Sequence, residues 1–194
     1  MTLALTGTSG VSQEACKRFL LQNNPNASPE IIDHYYELEN AWGLRADLLT
    51  CQMFHETGYL ASWWSEEPRR NPAGLGVTGE VSATDPKSNI WAYNPNTKKW
   101  EKGLSFPDWN TAALTHYAHM SAYVYPDERN NASKIDPRYT AAHALFTSGK
   151  WTYCKVLSDL NGRWAVPGVG YGESIEKVYN LIAALPTSAD HQSF

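Results

Sequence analysis

The residues best placed to do chemistry are His55-Glu56-Thr57-Gly58-Tyr59-Leu60 and, shortly after them, Asn71-Pro72-Ala73-Gly74-Leu75-Gly76-Val77-Thr78-Gly79-Glu80. A helical pattern runs into Glu56 and stops at Gly58. An aromatic stretch with Tyr59, Trp63 and Trp64 then leads into the glycine-punctuated segment. This order sets one carboxylic acid at the end of a helix beside a groove. A helix C-terminus carries partial negative charge, which disfavours ionising a carboxylate placed there. Burial against Tyr59, Trp63 and Trp64 would act in the same direction, because desolvation penalises the charged form. A carboxyl group kept protonated near neutral pH is what a general acid needs to protonate the leaving oxygen of a glycosidic bond. A surface glutamate at a frayed helix end accounts for the same residues equally well.

Other chemistries find less support. His55-Glu56 begins a zinc-protease motif, but the second histidine that motif needs falls at position 59, which is tyrosine. His116 and His119 stand at i, i+3 and could share a ligand face, yet no third ligand clusters with them, so hydrogen-bonded or solvent-facing histidines are expected and no metal. Gly74-Leu75-Gly76 does not match the dinucleotide fingerprint, no phosphate loop is present, and no cofactor is implied. Cys16, Cys51 and Cys154 are odd in number and scattered, which favours reduced, buried thiols over a disulfide framework or a nucleophile. The sequons at Asn26 and Asn131 mean nothing without secretion.

The elements that must position Glu56 follow from caps and periodicity. Ser12 caps a first helix through Leu21, and Ser28-Pro29 opens a second that runs to about Trp42 and stops at Gly43. A third helix spans roughly Ala46 to Thr57, with Leu49, Met53 and Glu56 on one apolar stripe. From 74 to 105 the helical period disappears. Ile90-Trp91-Ala92-Tyr93 and Lys99-Trp100-Glu101 flank Asn94-Pro95-Asn96-Thr97, which reads as a hairpin. Helices resume near Pro107, running to about Tyr125, then from Asp136-Pro137 to Gly149. A last helix begins near Tyr171, with Ile175, Val178 and Ile182 on one face. The expected class is mainly α (α+β): one domain over residues 1–186 with a small β excursion around 74–105, and a frayed tail at 187–194.

Composition sets outer bounds. The chain has 194 residues, 42% hydrophobic and 19% charged, enough for a core without metal or disulfide staples. A net charge of -4 without a sizeable lysine and arginine cluster argues against nucleic acid as a partner. No apolar run approaches the ~20 residues that span a bilayer, and no secretory signal is visible at Met1-Thr2-Leu3. Eight tryptophans and eleven tyrosines exceed what one small core needs, and aromatic faces with a polar handle suit sugar rings as well as cores.

In this order and spacing the residues resemble the glucosaminidase family of bacterial and phage peptidoglycan hydrolases, which share the lysozyme-like fold. The matching pieces are Glu56-Thr57-Gly58, the run from Asn71 to Gly79, Phe106-Pro107-Asp108-Trp109 with the helix carrying His116, His119 and Tyr123, and Leu160-Asn161-Gly162-Arg163-Trp164-Ala165-Val166-Pro167-Gly168 leading to Tyr171-Gly172. The resemblance runs from about residue 35 to 185. It implies a lysozyme-like domain acting on peptidoglycan glycan strands as an endo-β-N-acetylglucosaminidase, needing no partner copy. A phage endolysin fits, as do a virion-associated lysin and an injected toxin, made in the cytoplasm and reaching the wall after release.

The resemblance carries the general acid onto Glu56 and a site-lining tyrosine onto Tyr171. Asn71, Gly74 and Asn161 are expected to shape the groove, and Trp63, Trp64 and Trp164 to offer stacking platforms. Glu80, after Val77-Thr78-Gly79, is the preferred second carboxylate, with Glu66, Glu67, Asp85 and Glu101 as rivals. Attack by the substrate's own acetamido oxygen would make that second group unnecessary. The stretch from Asp85 to Lys102 is longer than the family's usual connection and suits a lid, an extra sugar subsite or an exposed hairpin alike. A muramidase or lytic transglycosylase of the same fold, a glycan-binding module without catalysis, and a phage tail protein are the alternatives.

Overall fold

Three helices near the start of the chain set the frame, and their ends follow the caps. In a computed structural model of the protein, which describes residues 2–186, α1 is Gln13–Asn23, with the Ser12 hydroxyl accepting from the Ala15 amide at 3.2 Å. The second helix, α2, is Glu30–Trp42 and ends at Gly43 with φ +67°, a conformation in which glycine has no Cβ penalty. The third, α3, is Ala46–Thr57, ending at Gly58 with φ +57°. The tail 187–194 lies outside the described residues.

The helix α3 is not the one-sided element its stripe suggests. Leu48, Leu49, Cys51, Met53 and Phe54 are at most 1% exposed, and the polar Thr50 and Gln52 between them are buried too. A helix apolar all round must be central. Glu56 therefore reaches the surface because α3 ends there, not because it has a solvated face. The start of α3 is pinned by a polar network: Asp47, fully buried, pairs with Arg45 at 2.7 Å and accepts from the Gly10 amide at 2.7 Å. Glu39 accepts from the amides of Ser9 and Ala46. These acceptors fill the first turn of α3, where orphan amides and the helix dipole favour negative charge.

A three-stranded antiparallel sheet follows, of order β1-β3-β2, with β1 at Val81–Ser82, β2 at Trp91–Asn94 and β3 at Lys99–Lys102. The expected hairpin is β2–β3, in register Tyr93↔Trp100, and its turn is closed by Asn94 Oδ1 accepting from the Asn96 amide at 3.0 Å. The two-residue β1, pairing Val81 with Glu101, carries no strand pattern in the sequence.

The long helix α4, Trp109–Val124, is capped by Asp108, whose carboxylate accepts from the Thr111 amide at 2.7 Å. It packs against α2 and is buried over most of its length. Short α5, Ala132–Ile135, and α6, Tyr139–Thr147, pack on α4. A 3₁₀ turn at Leu157–Leu160 precedes α7, Tyr171–Ala183, which lays Ile175, Val178 and Ile182 against α3. The N-terminal segment ties both ends of this arrangement together. Leu5 accepts from Arg45 at 3.0 Å just before α3, and Leu3 accepts from Leu157 at 2.9 Å at the 3₁₀ turn. The mainly α class with one small β excursion is the class the sequence predicts. No helix among the described residues is long and apolar enough to cross a membrane.

Candidate active site

Glu56 occupies the last turn of α3, beside three successive residues with left-handed backbone: Gly58, Tyr59 at φ +61° and Leu60 at φ +60°. Such conformations are strained for residues with a Cβ and persist only where the surroundings fix them. Here Tyr59 is held between Phe19 and Phe54, and the Leu60 amide donates to Thr57 Oγ1 at 2.8 Å. The sharp exit leaves the Glu56 side chain partly exposed at the helix end.

Two donors from distant parts of the chain converge on that carboxylate. The indole Nε1 of Trp164 donates to Glu56 Oε1 at 3.0 Å, and the Tyr171 hydroxyl donates to the same oxygen. No side chain among the described residues bonds Oε2. Tyr171 opens α7, where Gly172 lets the helix press against the 3₁₀ turn: a Cβ at 172 would collide with the Leu157 carbonyl and lie 2.8 Å from Ser158 Cα. Asn161 links the two pieces, accepting from the Gly172 amide at 2.7 Å and donating to Glu173 at 2.8 Å.

Behind Tyr171 lies a buried chain of hydrogen bonds. Gln52 Nε2 donates to the Tyr171 oxygen at 2.8 Å, so Gln52 Oε1 must accept from His116 Nε2 at 2.9 Å. His116 Nδ1 is then bare and accepts from the Tyr35 hydroxyl at 2.6 Å. Burial, helped by the neighbouring His119, pushes His116 down to about 3, so the imidazole is neutral, as this chain requires. Burial, with the Glu56 carboxylate beside it, raises Tyr171 well above its ordinary range, so its hydroxyl keeps its proton and donates. Three helices, α2, α4 and α3, thus aim one line of donors at the Glu56 carboxylate.

Next to this carboxylate, Trp164 forms one wall of a cavity of about 240 Å³. The segment Ala73-Gly74-Leu75, with Gly74 at φ +61°, and Val77 line it too. His119, Tyr123 and Arg138 complete the lining. His119 and Tyr123 pack on the Trp164 ring with centroids at 5.0 and 5.2 Å. The His119 ring is itself oriented by Asp136, which accepts from Nδ1 at 2.7 Å. Asn71 is fully buried, its amide spanning Leu75 and Leu104 and its oxygen accepting from Leu75 at 2.8 Å. It fixes the loop and reaches a ligand only through it.

Other expected site residues lie elsewhere. Trp63 is covered by the Arg69 guanidinium at 3.9 Å and meets Trp64 edge-on at 4.9 Å. Trp64 in turn fills the space above Gly103. The aromatic neighbours of Glu56 are therefore Trp164 and Tyr171, not the Tyr59, Trp63 and Trp64 that follow it in sequence. Glu80 is exposed and paired with Lys102 at 2.7 Å, an interaction that lowers its pKa. Among its rivals, Glu66 and Glu67 pair with Arg69 and Arg70, Asp85 with Lys87, and Glu101 accepts from Asn94 and Thr97. The three cysteines are free and buried, with burial pushing Cys16 and Cys154 up to about 12. That rules against a thiolate nucleophile.

Gln52, Tyr35, Asp136 and Arg138 were not legible as site residues. Gln52 offered one signal, a polar side chain amid the apolar run of α3. The others offered none, because their roles depend on contacts across the fold.

No protein-family model matches the chain, and no curated protein matches it in sequence. Among solved structures it is similar to the catalytic domain of the autolysin Auto from Listeria monocytogenes, at 15% identity over 87% of this chain and 86% of that one, with a TM-score of 0.49.

Proposed function

We propose that this protein is a glycoside hydrolase of the lysozyme-like type that cleaves peptidoglycan glycan strands, as an endo-β-N-acetylglucosaminidase. The observation that carries the reading is the convergence of Tyr171 and Trp164 on one oxygen of Glu56. With Oε1 taking two donors, the transferable proton belongs on Oε2, the oxygen that no side chain among the described residues bonds. The ordered motifs from Glu56 to Tyr171 support the same reading.

In this mechanism Glu56 protonates the leaving glycosidic oxygen. As the sugar departs and Glu56 becomes a carboxylate, Tyr171 and Trp164 are already aimed at the developing charge and need no reorganisation. Tyr171 is a positioning residue: its hydroxyl is shared between Glu56 and Gln52, which leaves little for a sugar. Gly74 and the loop held by Asn71 line the same cavity as Trp164. The carboxylates considered as second catalytic groups all have partners of their own. This favours a route in which the acetamido oxygen of N-acetylglucosamine attacks C1 and water completes hydrolysis.

Mass spectrometry of sodium borohydride-reduced digests of sacculi tests the bond. The expected fragments end in reduced N-acetylglucosamine. Reduced muramic acid ends would indicate a muramidase, and anhydro-muramic ends a lytic transglycosylase; either would overturn the assignment.

A further inference from the structure

Arg138 differs from every other arginine of the chain. Arg45, Arg69 and Arg70 pair with Asp47, Glu66 and Glu67; Arg18 and Arg163 donate to backbone carbonyls; Arg129 lies 3.6 Å over the Tyr125 ring. The Arg138 guanidinium has no hydrogen bond and no carboxylate partner among the described residues; its backbone alone is bonded, the amide donating to Asp136 Oδ1 and the carbonyl accepting from the Ala142 amide, each at 3.0 Å. The carboxylate nearest in sequence, Asp136, is 1% exposed and bonds the His119 ring and the Arg138 backbone amide, not the guanidinium.

The place of this cation is specific. Arg138 lines the cavity beside Trp164, and it also lines a second cavity of about 280 Å³ bounded by Gly76, Thr78, Ile90 and Lys102 at the sheet. It therefore stands where the two meet. Neither lining contains an acidic residue, and Lys102 is already paired with Glu80. Its charge acts on Tyr123, which lines the same cavity, opposing the rise that burial and, more weakly, Asp136 impose on that phenol. A forked donor with five N–H groups, exposed and unpaired where two cavity linings carry no acid, suits a planar carboxylate.

We infer that Arg138 is a subsite for a carboxylate borne by the substrate strand, in the cavity it shares with Trp164, the partner of Glu56. This rests on the peptidoglycan reading proposed above. On such a strand a carboxylate has two sources: the lactyl group of a bare muramic acid, or the free carboxyls of a stem peptide whose amide bond takes up that lactyl carboxyl. The subsite thereby selects muramic-acid-containing strands over neutral chitin.

The test uses sacculi with intact stems and sacculi stripped by an amidase, each with carboxyl groups free or coupled to methylamine, and follows the release of new reducing ends. Wild type should act about tenfold faster on the free than on the blocked form of one substrate pair, the scale of a lost charge-assisted hydrogen bond. The sensitive pair identifies the source, stem or lactyl. Arg138→Gln should be about tenfold slower on that free form and indifferent to blocking, while Arg138→Lys should retain part of the sensitivity. Wild type indifferent to blocking in both pairs, or Arg138→Gln slowed equally on free and blocked forms, would overturn the subsite while leaving the hydrolase reading intact. If wild type releases no ends from any substrate, the hydrolase reading fails and the subsite falls with it.

Discussion

At the scale of single residues, the proposed chemistry centres on which oxygen of Glu56 is occupied and by whom. Glu56 itself is legible in sequence because it interrupts an apolar helix just before a glycine stop. Its partners are not, since Trp164 and Tyr171 lie 108 and 115 positions away and meet it only in the fold. The neighbours in sequence, Trp63 and Trp64, pack on each other and on Arg69, while Trp164 and Tyr171 bond Glu56. Three left-handed residues turn the chain away from Glu56, and a left-handed Tyr59 or Leu60 leaves no mark in composition. Removing the phenol tests the positioning role. Tyr171→Phe should lower kcat roughly 10- to 100-fold, the loss of one hydrogen bond to a developing charge, with KM little changed. A raised KM with unchanged kcat would instead place that hydroxyl on the substrate.

At the scale of elements, the site is the meeting of the ends of α3 and α7 with the loop carrying Trp164. Helix starts and stops were readable where Ser12, Gly43 and Gly58 set them, whereas the Asp108 cap of α4 was placed only as a start near Pro107. The two-residue β1 and the 3₁₀ turn at Leu157–Leu160 were not, because tertiary pairing rather than propensity makes them. Close approach of α7 to that turn depends on Gly172, whose substitution would drive a methyl group into the Leu157 carbonyl. Gly172→Ala should destabilise by about 1–3 kcal/mol, seen as a lower thermal midpoint, and reduce cleavage by moving Tyr171 off Glu56. Wild-type stability and activity in this variant would show that the contact is not needed to seat the tyrosine.

At the scale of the whole molecule, the same buried chain that aims donors at Glu56 links stability to pH. His116 has a folded pKa of about 3 against an ordinary 6.5. Between those values the unfolded chain binds a proton that the native state refuses, so stability is full above 6.5 and declines as pH falls toward 3. Relative to His116→Gln, which lacks this titration, wild type should lose about 2 kcal/mol between pH 7.5 and pH 5 in denaturant unfolding. A constant gap between the two proteins would show that His116 is not held neutral. The central claim is that Glu56 delivers the proton that breaks a glycan strand, and it is tested most directly by the isosteric Glu56→Gln. Purified sacculi incubated with wild type should release new reducing sugar ends. Glu56→Gln should release them at least about 100-fold more slowly while binding the sacculi as well as wild type does. Equal release by both proteins, or none by either despite binding, would contradict the account.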